Sequence, residues 1–205
     1  MWMSLNLDKY FIMGTMNCQR DPLVVLEEAL QAGITMFQLR EKGENALTGE
    51  AYVQFARKCQ NLCHDYKVPF LINDDVELAL LLDADGIHVG QDDLNINMFR
   101  KRAENKIIGV SVHTMEELKQ AVLSGADYVG IGPIFKTSSK TDAKPPAGVA
   151  FLKKARTEYP NLPIVAIGGI SPSNSSLVRE AGADGVAVIS AISLSEDIRK
   201  TVSEI

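Results

Sequence analysis

Acidic and amide side chains are concentrated in two short segments, 73–75 (Asn-Asp-Asp) and 91–93 (Gln-Asp-Asp). Each segment closely follows a short apolar run that is typical of a buried strand. Carboxylate and amide oxygens suit Mg²⁺, a hard cation that prefers oxygen ligands. Helix capping is the alternative interpretation, and for Asp75 and Asp92 the two are evenly balanced. Because capping by all four aspartates is the less favoured explanation, the sequence predicts a divalent cation site.

Three basic side chains, Arg40, Lys42 and Lys140, follow other predicted strands. Arginine suits bidentate recognition of phosphate, and lysine supplies a compact positive charge. Each of them alone is better explained as a solvated surface charge. Beside the acidic segments they predict a magnesium–diphosphate site, in which the metal and the cations share the charge of the anion.

A second anion site is predicted at Gly168-Gly169 and at Ile189-Ser190, which follow the last two candidate strands. Barrels of parallel strands often bind phosphate there through backbone N–H groups. A turn explains the glycine pair equally well, and its position favours phosphate. The longest predicted loop, 133–147, is rich in Ser, Thr and Lys. We expect it to cover the bound anions, and a disordered insertion is the less favoured alternative.

The three histidines carry weaker signals. His88 lies in a candidate strand, where a satisfied structural role is favoured over a general base. His113 lies near a strand end and both roles are open, whereas His64 is expected at the surface. The sequence has no Ser-His-Asp order, Cys/His pair or Cys/His metal cluster, which argues against covalent hydrolase chemistry.

Short apolar runs alternate with longer amphipathic ones along the chain. The eight candidate strands are rich in Ile and Val and mostly apolar on both faces, as parallel strands covered on both sides are. They are Tyr10–Met13, Met36–Arg40, Phe70–Asn73, Gly86–Val89, Ile107–Val112, Tyr128–Ile131, Ile164–Ile167 and Gly185–Ile189.

Eight candidate helices lie between and after these strands. They are Pro22–Ala32, Thr48–Tyr66, Val76–Leu82, Leu94–Arg102, Met115–Leu123, Val149–Tyr159, Ser175–Ala181 and Glu196–Ile205. Small residues recur at the helix ends with an apolar run just beyond, which indicates tight turns into the next strand. Strands alternating with helices predict an α/β fold with a parallel sheet, and eight units favour a closed (β/α)₈ TIM barrel over an open doubly wound sheet.

Composition narrows the functional classes. The 205 residues include 46% hydrophobic and 23% charged residues, which is ordinary for a globular protein. Lys and Arg number 21 against 26 for Asp and Glu, a net charge of −5 that argues against nucleic acid as a partner. Apolar runs are too short for a bilayer, and no secretory signal pattern begins the sequence. We expect a soluble cytoplasmic protein with one domain over residues 1–205. Its oligomeric state, including a possible homodimer, stays open.

The motifs together resemble the thiamine-phosphate synthase family. The resemblance runs from about Tyr10 to Ser193, and the combination of motifs is specific although the glycine turns alone are not. The segments that carry it are Phe37–Lys42, Asn73–Asp75, Gly86–Asp93, Gly109–Ser111, Gly132–Lys140, Ala166–Ile170 and Val188–Ile192.

This resemblance implies a (β/α)₈ transferase that joins hydroxymethylpyrimidine diphosphate to a thiazole phosphate, or to its carboxylated form. Thiamine phosphate and diphosphate would be the products. It also implies a dissociative step, in which diphosphate departs before the thiazole nitrogen attacks, so that the protein supplies no strong nucleophile. Small-molecule phosphates and diphosphates would therefore be its partners, and Mg²⁺ its cofactor.

Carried over position by position, the resemblance also implies roles for individual residues. The pyrimidine diphosphate would be bound by Gln38, Arg40, Lys42 and Asn73, and Mg²⁺ would be held by Asp74 and Asp93. The pyrimidine substrate or its diphosphate would contact Ser111 and Lys140, which with Lys42 are the catalytic candidates. The thiazole phosphate would be bound by Thr137, Ser139, Gly169, Ile189 and Ser190. The family often has Thr at the position of Ser139, and Ser keeps the hydroxyl.

Three other functions fit parts of the pattern. A thiazole tautomerase of the TenI type shares the fold, but the full magnesium–diphosphate set argues against it. A non-catalytic barrel that binds thiazole phosphate as a regulator is a second alternative. Nothing in the sequence requires it, since the candidate metal ligands are retained. A phosphosugar isomerase or epimerase is a third, and it would need an acid/base pair in place of metal ligands.

Overall fold

Eight parallel strands close into a barrel in chain order, each hydrogen-bonded to its sequence neighbours and β8 paired with β1. The computed structural model describes residues 5–90, 96–137, 139 and 145–205, except the side chain at position 97. The strands are β1 (Lys9–Met13), β2 (Met36–Leu39), β3 (Phe70–Asn73), β4 (Gly86–Val89), β5 (Ile107–Val112), β6 (Tyr128–Ile131), β7 (Ile164–Ile167) and β8 (Gly185–Val188). The predicted (β/α)₈ fold is confirmed.

Helices follow the strands and cover the outside of the barrel. Within the described ranges they are α1 (Pro22–Gln31), α2 (Gly49–Asp65), α3 (Val76–Leu81), α4 (Ile96–Phe99), α5 (Met115–Leu123), α6 (Gly148–Glu158), α7 (Ser175–Glu180), α8 (Ser190–Ser193) and α9 (Ile198–Glu204). A single 3-10 turn, Thr15–Asn17, follows β1. None of the helices in these ranges is long and apolar enough to cross a membrane.

Alternation along the strands separates two apolar layers. In β1, Tyr10 and Ile12 point into the barrel, whereas Phe11 and Met13 pack against the helices. All four are at most 3% exposed. Successive side chains of a strand point to opposite faces, so a strand buried on both faces must be apolar at nearly every position. This is why short Ile- and Val-rich runs predicted the strands.

Two strands end earlier than predicted. β2 ends at Leu39, which leaves Arg40 in the loop, and β8 ends at Val188. The short helix α8 begins only two residues after β8 and was not predicted, because four residues carry no helical periodicity. The last helix begins at Ile198, where the Asp197 carboxylate accepts a hydrogen bond from Lys200 N at 2.9 Å.

Candidate active site

The predicted site residues that the structure describes lie at or near the carboxyl ends of the strands, the end at which barrel enzymes carry their active sites. Gln38 lies in β2, and Arg40 and Lys42 follow that strand. Asn73 is the last residue of β3, and Ser111 is the second-last residue of β5. Because β2 and β3 are neighbours in the barrel, Gln38, Arg40, Lys42 and Asn73 lie on or just after two adjacent strands.

Lys42 and Asp74 form an ion pair that joins the loop after β2 to the end of β3. The Asp74 carboxylate also accepts from Asn73 Nδ2 at 2.6 Å and from Gly90 N at 3.3 Å. Its backbone is in the left-handed region, with φ of 61°, and its N–H donates to the His88 carbonyl at 2.9 Å. A non-glycine residue in this conformation is uncommon and persists only where its surroundings hold it. The hydrogen bonds to its neighbours therefore fix the Asp74 carboxylate at the rim.

Asp74 and Asp75 have different roles, which the sequence alone left open. The Asp75 carboxylate accepts from Leu78 N at 2.9 Å and caps α3. That bond satisfies one of the free N–H groups at the start of the helix. Only Asp74 of the two therefore presents its carboxylate to the rim, as the resemblance implies.

The chemistry of the Asp74 environment fits a hard divalent cation. Its carboxylate oxygens and the neighbouring Asn73 side chain supply the oxygen ligands that Mg²⁺ prefers. Across the described ranges, no group of three or more His, Cys, Asp or Glu side chains is arranged as a metal site. The second expected ligand, Asp93, lies outside the described residues.

The Glu41 carboxylate fixes the loop that carries Arg40 and Lys42. It accepts from Thr15 N at 2.8 Å, from Thr15 Oγ1 at 2.5 Å and from Leu47 N at 2.9 Å. Three hydrogen bonds thus join Glu41 to Thr15 and Leu47. Sequence reasoning did not find this role, because an acidic residue between two cations gives no sign of where it points.

A cavity opens between the ends of β5, β6, β7 and β8. Its lining includes several predicted ligand residues: Ser111, Thr137, Ser139, Gly169, Ile189 and Ser190. His113 also lines it, and its Nδ1 is hydrogen-bonded to the Gly132 carbonyl. The structure thus brings together residues that are up to 79 positions apart in sequence.

The loop after β6 is bound to the end of β7. Ile134 N donates to Ile167 O at 2.8 Å, and Phe135 N donates to Gly168 O at 3.0 Å. Gly169 has a positive φ of 65°, and a Cβ atom there would lie 2.6 Å from the Lys136 carbonyl oxygen. Glycine is therefore required for the close approach that brings this loop over the cavity.

Hydroxyl and backbone groups meet at the β8 end of the cavity. Ser139 Oγ donates to Ser190 Oγ at 3.0 Å. The first helical bond of α8 starts from Ile192 N, so the N–H groups of Ser190 and Ala191 precede the bonds made within this helix. Asn174 Nδ2 donates to the Gly169 carbonyl at 2.9 Å, which fixes the orientation of that peptide.

Inside the barrel, Gln38 and His88 are buried beside two tyrosines. Gln38 is 1% exposed and donates to the Tyr10 hydroxyl, and His88 is 7% exposed and contacts Tyr128 and Ser111. Burial raises the pKa of both tyrosines well above the ordinary range, so both are neutral phenols. The expected structural, satisfied environment of His88 is what the structure shows.

Two further predictions have different outcomes. His64 lies at the surface, as expected, with 90% of its side chain exposed. Lys140 lies outside the described residues, as do positions 138 and 141–144 of the 133–147 loop. Tyr10 and Tyr128 were missed as polar groups, because in the sequence each appears as one more apolar residue of a strand.

The comparisons with known proteins agree with this geometry. A model of the thiamine monophosphate synthase family matches residues 9–192. A thiamine-phosphate synthase of Lysinibacillus sphaericus is 64% identical over 199 residues, which cover 97% of this chain and 93% of the relative. One of Bacillus thuringiensis subsp. konkukian is 57% identical, with 99% and 93% covered.

A solved structure is similar in fold as well as in sequence. The thiamine phosphate pyrophosphorylase from Pyrococcus furiosus superposes with a TM-score of 0.83 at 35% identity, covering 97% of this chain and 94% of that chain. The family match spans most of the chain, and the relatives span nearly all of it. The chain belongs to the thiamine monophosphate synthase family.

Proposed function

We propose that the rim formed by the ends of β2, β3 and β5 to β8 is where this chain binds both of its substrates. The activity is a transferase reaction on small molecules. A pyrimidinylmethyl group passes from its diphosphate ester to the nitrogen of a thiazole phosphate, giving thiamine phosphate and diphosphate. One C–O bond breaks and one C–N bond forms, and no proton has to be moved.

The β2–β3 side of the rim is assigned to the diphosphate. Arg40 and Lys42 would bind its oxygens, with Lys140 closing from the loop after β6. Asp74 and Asp93 would hold Mg²⁺, which would neutralise charge on the departing diphosphate. Asn73 orients the Asp74 carboxylate through the 2.6 Å hydrogen bond. Charge neutralisation of the leaving group is the main catalytic contribution expected of these residues.

The β7–β8 side of the rim is assigned to the thiazole phosphate. Phosphate sites of TIM barrels are frequently formed by the loops after strands seven and eight with the start of a short extra helix. The positive-φ turn at Gly169, the N–H groups at the start of α8 and the hydroxyls of Thr137 and Ser139 match that arrangement. Ile189 would contribute through its backbone.

The proposed reaction at the centre of the cavity is dissociative. Departure of diphosphate leaves a methylene cation, which the electron-rich aminopyrimidine stabilises, and the thiazole nitrogen then attacks it. The residues hold the two substrates in line and exclude water, which would otherwise trap the cation. Ser111 contacts the pyrimidine end.

A single observation carries this assignment: one cavity is lined by Ser111 from β5, Thr137 and Ser139 from the loop after β6, and Gly169 and Ser190 from the ends of β7 and β8. Ser111, assigned to the pyrimidine end, therefore shares one open cavity with the residues assigned to the thiazole phosphate, as condensation of the two substrates requires.

The test is a turnover assay with purified protein, both substrates and Mg²⁺, in which thiamine phosphate and released diphosphate are quantified. We expect equal amounts of the two products, and loss of activity when EDTA removes the metal. Unchanged turnover with EDTA would remove Mg²⁺ from the proposal. Absence of thiamine phosphate under all metal conditions would overturn the assignment of the rim.

A further inference from the structure

Five side chains inside the barrel form one continuous hydrogen-bond chain. Gln38 Nε2 lies 2.5 Å from the Tyr10 hydroxyl, which lies 2.8 Å from the Tyr128 hydroxyl. Tyr128 Oη is 2.9 Å from His88 Nδ1, and His88 Nε2 is 2.9 Å from Ser111 Oγ. The chain crosses the barrel from β2 through β1, β6 and β4 to β5, and it ends at a residue that lines the substrate cavity.

The direction of this chain follows from counting protons. The Gln38 NH₂ group can only donate, so the Tyr10 oxygen accepts from it. Both tyrosines are fully buried, and each phenol has one proton to donate. In the described structure the Tyr10 hydroxyl contacts Gln38 and Tyr128, and the Tyr128 hydroxyl contacts Tyr10 and His88.

With the Gln38 amide oriented as in the structure, Nε2 toward Tyr10, only one direction gives each of these phenol protons an acceptor. If Tyr128 donated to Tyr10, the Tyr10 proton would be buried without an acceptor, which is costly. Tyr10 therefore donates to Tyr128, and by the same reasoning Tyr128 donates to His88 Nδ1. A nitrogen that accepts carries no proton, so His88 is the neutral tautomer with its proton on Nε2. That proton is donated to Ser111 Oγ.

We infer that Tyr128 and His88 are positioning residues that make Ser111 a hydrogen-bond donor to the pyrimidine substrate. Because its oxygen accepts from His88, the Ser111 hydroxyl directs its own proton elsewhere, and its side chain lines the cavity. A pyrimidine ring nitrogen or a diphosphate oxygen is an acceptor and suits it. This ligand role rests on the proposed function, whereas the tautomer of His88 does not.

Two glycines make room for the chain. A Cβ atom at Gly109 would lie 2.1 Å from Tyr128 Cζ, and one at Gly130 would lie 3.3 Å from His88 Cε1. A side chain at either glycine would point into the barrel. Gly109 lies on the same strand as Ser111, and Gly130 lies on the same strand as Tyr128. The sequence therefore leaves space for the phenol and the imidazole where barrel interiors usually hold branched apolar side chains.

The tautomer is measured directly in the wild-type protein by ¹⁵N NMR of labelled histidines at about pH 8.5, above the ordinary histidine pKa of about 6.5. His113 is an internal reference, because its Nδ1 faces the Gly132 carbonyl and must carry the proton. We expect His88 to show the opposite tautomer, protonated on Nε2. The signals are assigned with His88→Asn. An Nδ1-protonated His88 would overturn the inference.

Two matched variants separate positioning from packing, since each removes one buried tyrosine hydroxyl. In Tyr10→Phe the Tyr128 proton still has His88 Nδ1 as its acceptor, so the tautomer is retained. In Tyr128→Phe that donor is lost, so the ¹⁵N signal of Nδ1 moves to that of a ring nitrogen without a hydrogen bond, and the imidazole is no longer fixed against Ser111. We expect Tyr128→Phe to raise KM for the pyrimidine diphosphate about ten-fold, the size of one lost ligand hydrogen bond.

A purely structural role would lower the stability of both variants and leave KM for the pyrimidine diphosphate unchanged in Tyr128→Phe. That result would contradict the inference, as would an equal rise of KM in both variants. Should Tyr128→Phe fail to fold, the wild-type measurement decides alone. Because the NMR measurement needs no substrate, failure of the proposed reaction would leave its outcome unaffected.

Discussion

The Lys42 ammonium pairs with the Asp74 carboxylate across the ends of β2 and β3. Asp74 is the residue expected to bind Mg²⁺, and Lys42 is expected to bind the diphosphate. Each of these two groups therefore neutralises the charge of the other. Under the proposed assignment, binding of the metal and the diphosphate would break this pair, and the lysine and the metal would compete for the carboxylate.

Lys42→Met should bind Mg²⁺ more tightly than the wild type when no substrate is present. We expect a change of up to about five-fold, since a partly exposed ion pair contributes about 1 kcal/mol or less. Isothermal titration with Mg²⁺ measures it. Lys106→Met, which removes a lysine paired with Asp83, is the control and should not change the affinity. Weaker Mg²⁺ binding by Lys42→Met would show that the pair does not compete.

Asp74→Asn should abolish most of the turnover and leave folding nearly unchanged. The substitution keeps the size of the side chain and removes the charge that a metal requires, so we expect kcat to fall at least about 100-fold. Asp75→Ala is the matched control. It should retain turnover and lose about 0.5–2 kcal/mol of stability, because it removes the cap of α3. The reverse pattern would exchange the roles assigned to the two aspartates.

Glu41→Ala should raise KM for the pyrimidine diphosphate and lower the thermal midpoint. It removes three hydrogen bonds that hold the loop of Arg40 and Lys42, so we expect a loss of about 2–3 kcal/mol of stability. Steady-state kinetics and calorimetry measure the two effects. Glu44→Ala, an exposed acidic residue of the same loop, should change neither. An unchanged KM in Glu41→Ala would limit Glu41 to a structural role.

The buried thiols of Cys59 and Cys63 should make the protein less stable at alkaline pH. Burial raises the pKa of both, so the folded state stays protonated where the unfolded chain ionises, above about pH 8.5. The unfolded state then binds fewer protons, and the free energy of unfolding falls by up to about 1.4 kcal/mol per pH unit for each thiol.

Urea denaturation between about pH 8 and pH 10.5 tests this slope, with the unfolded thiols titrating near 8.5. The double variant Cys59→Ala, Cys63→Ala should lose stability at every pH but show a shallower decline. An equal slope in the wild type and the double variant would assign the alkaline loss to other groups, such as the buried Tyr10 and Tyr128.

The strands were predictable because a parallel barrel buries both faces, so that each strand appears as a short, mostly apolar run, and most of these runs contain Ile or Val. The ends of β2 and β3, with Arg40, Lys42 and Asp74, followed from their position after those runs. The capping role of Asp75 needed one further fact, the hydrogen bond that its carboxylate accepts from Leu78 N.

The hydrogen-bond chain was not predictable, because it depends on the registers of strands far apart in sequence. Tyr10 and Tyr128 are 118 positions apart and meet only in the closed barrel. Periodicity identifies each as a buried strand residue and says nothing of its hydroxyl. Similarly, the direction of the Glu41 side chain depends on Thr15 in another loop, and no local pattern encodes that contact.

The Tyr128 ring fills the space that a side chain at Gly109 would need, since a Cβ atom there would overlap the ring. The residue types at these two positions must therefore change together during evolution. A homologue with a larger side chain at the first position should have a smaller one at the second, and should have lost the phenol that orients His88. Covariation between this pair would thus separate relatives that orient their serine as this chain does from those that do not.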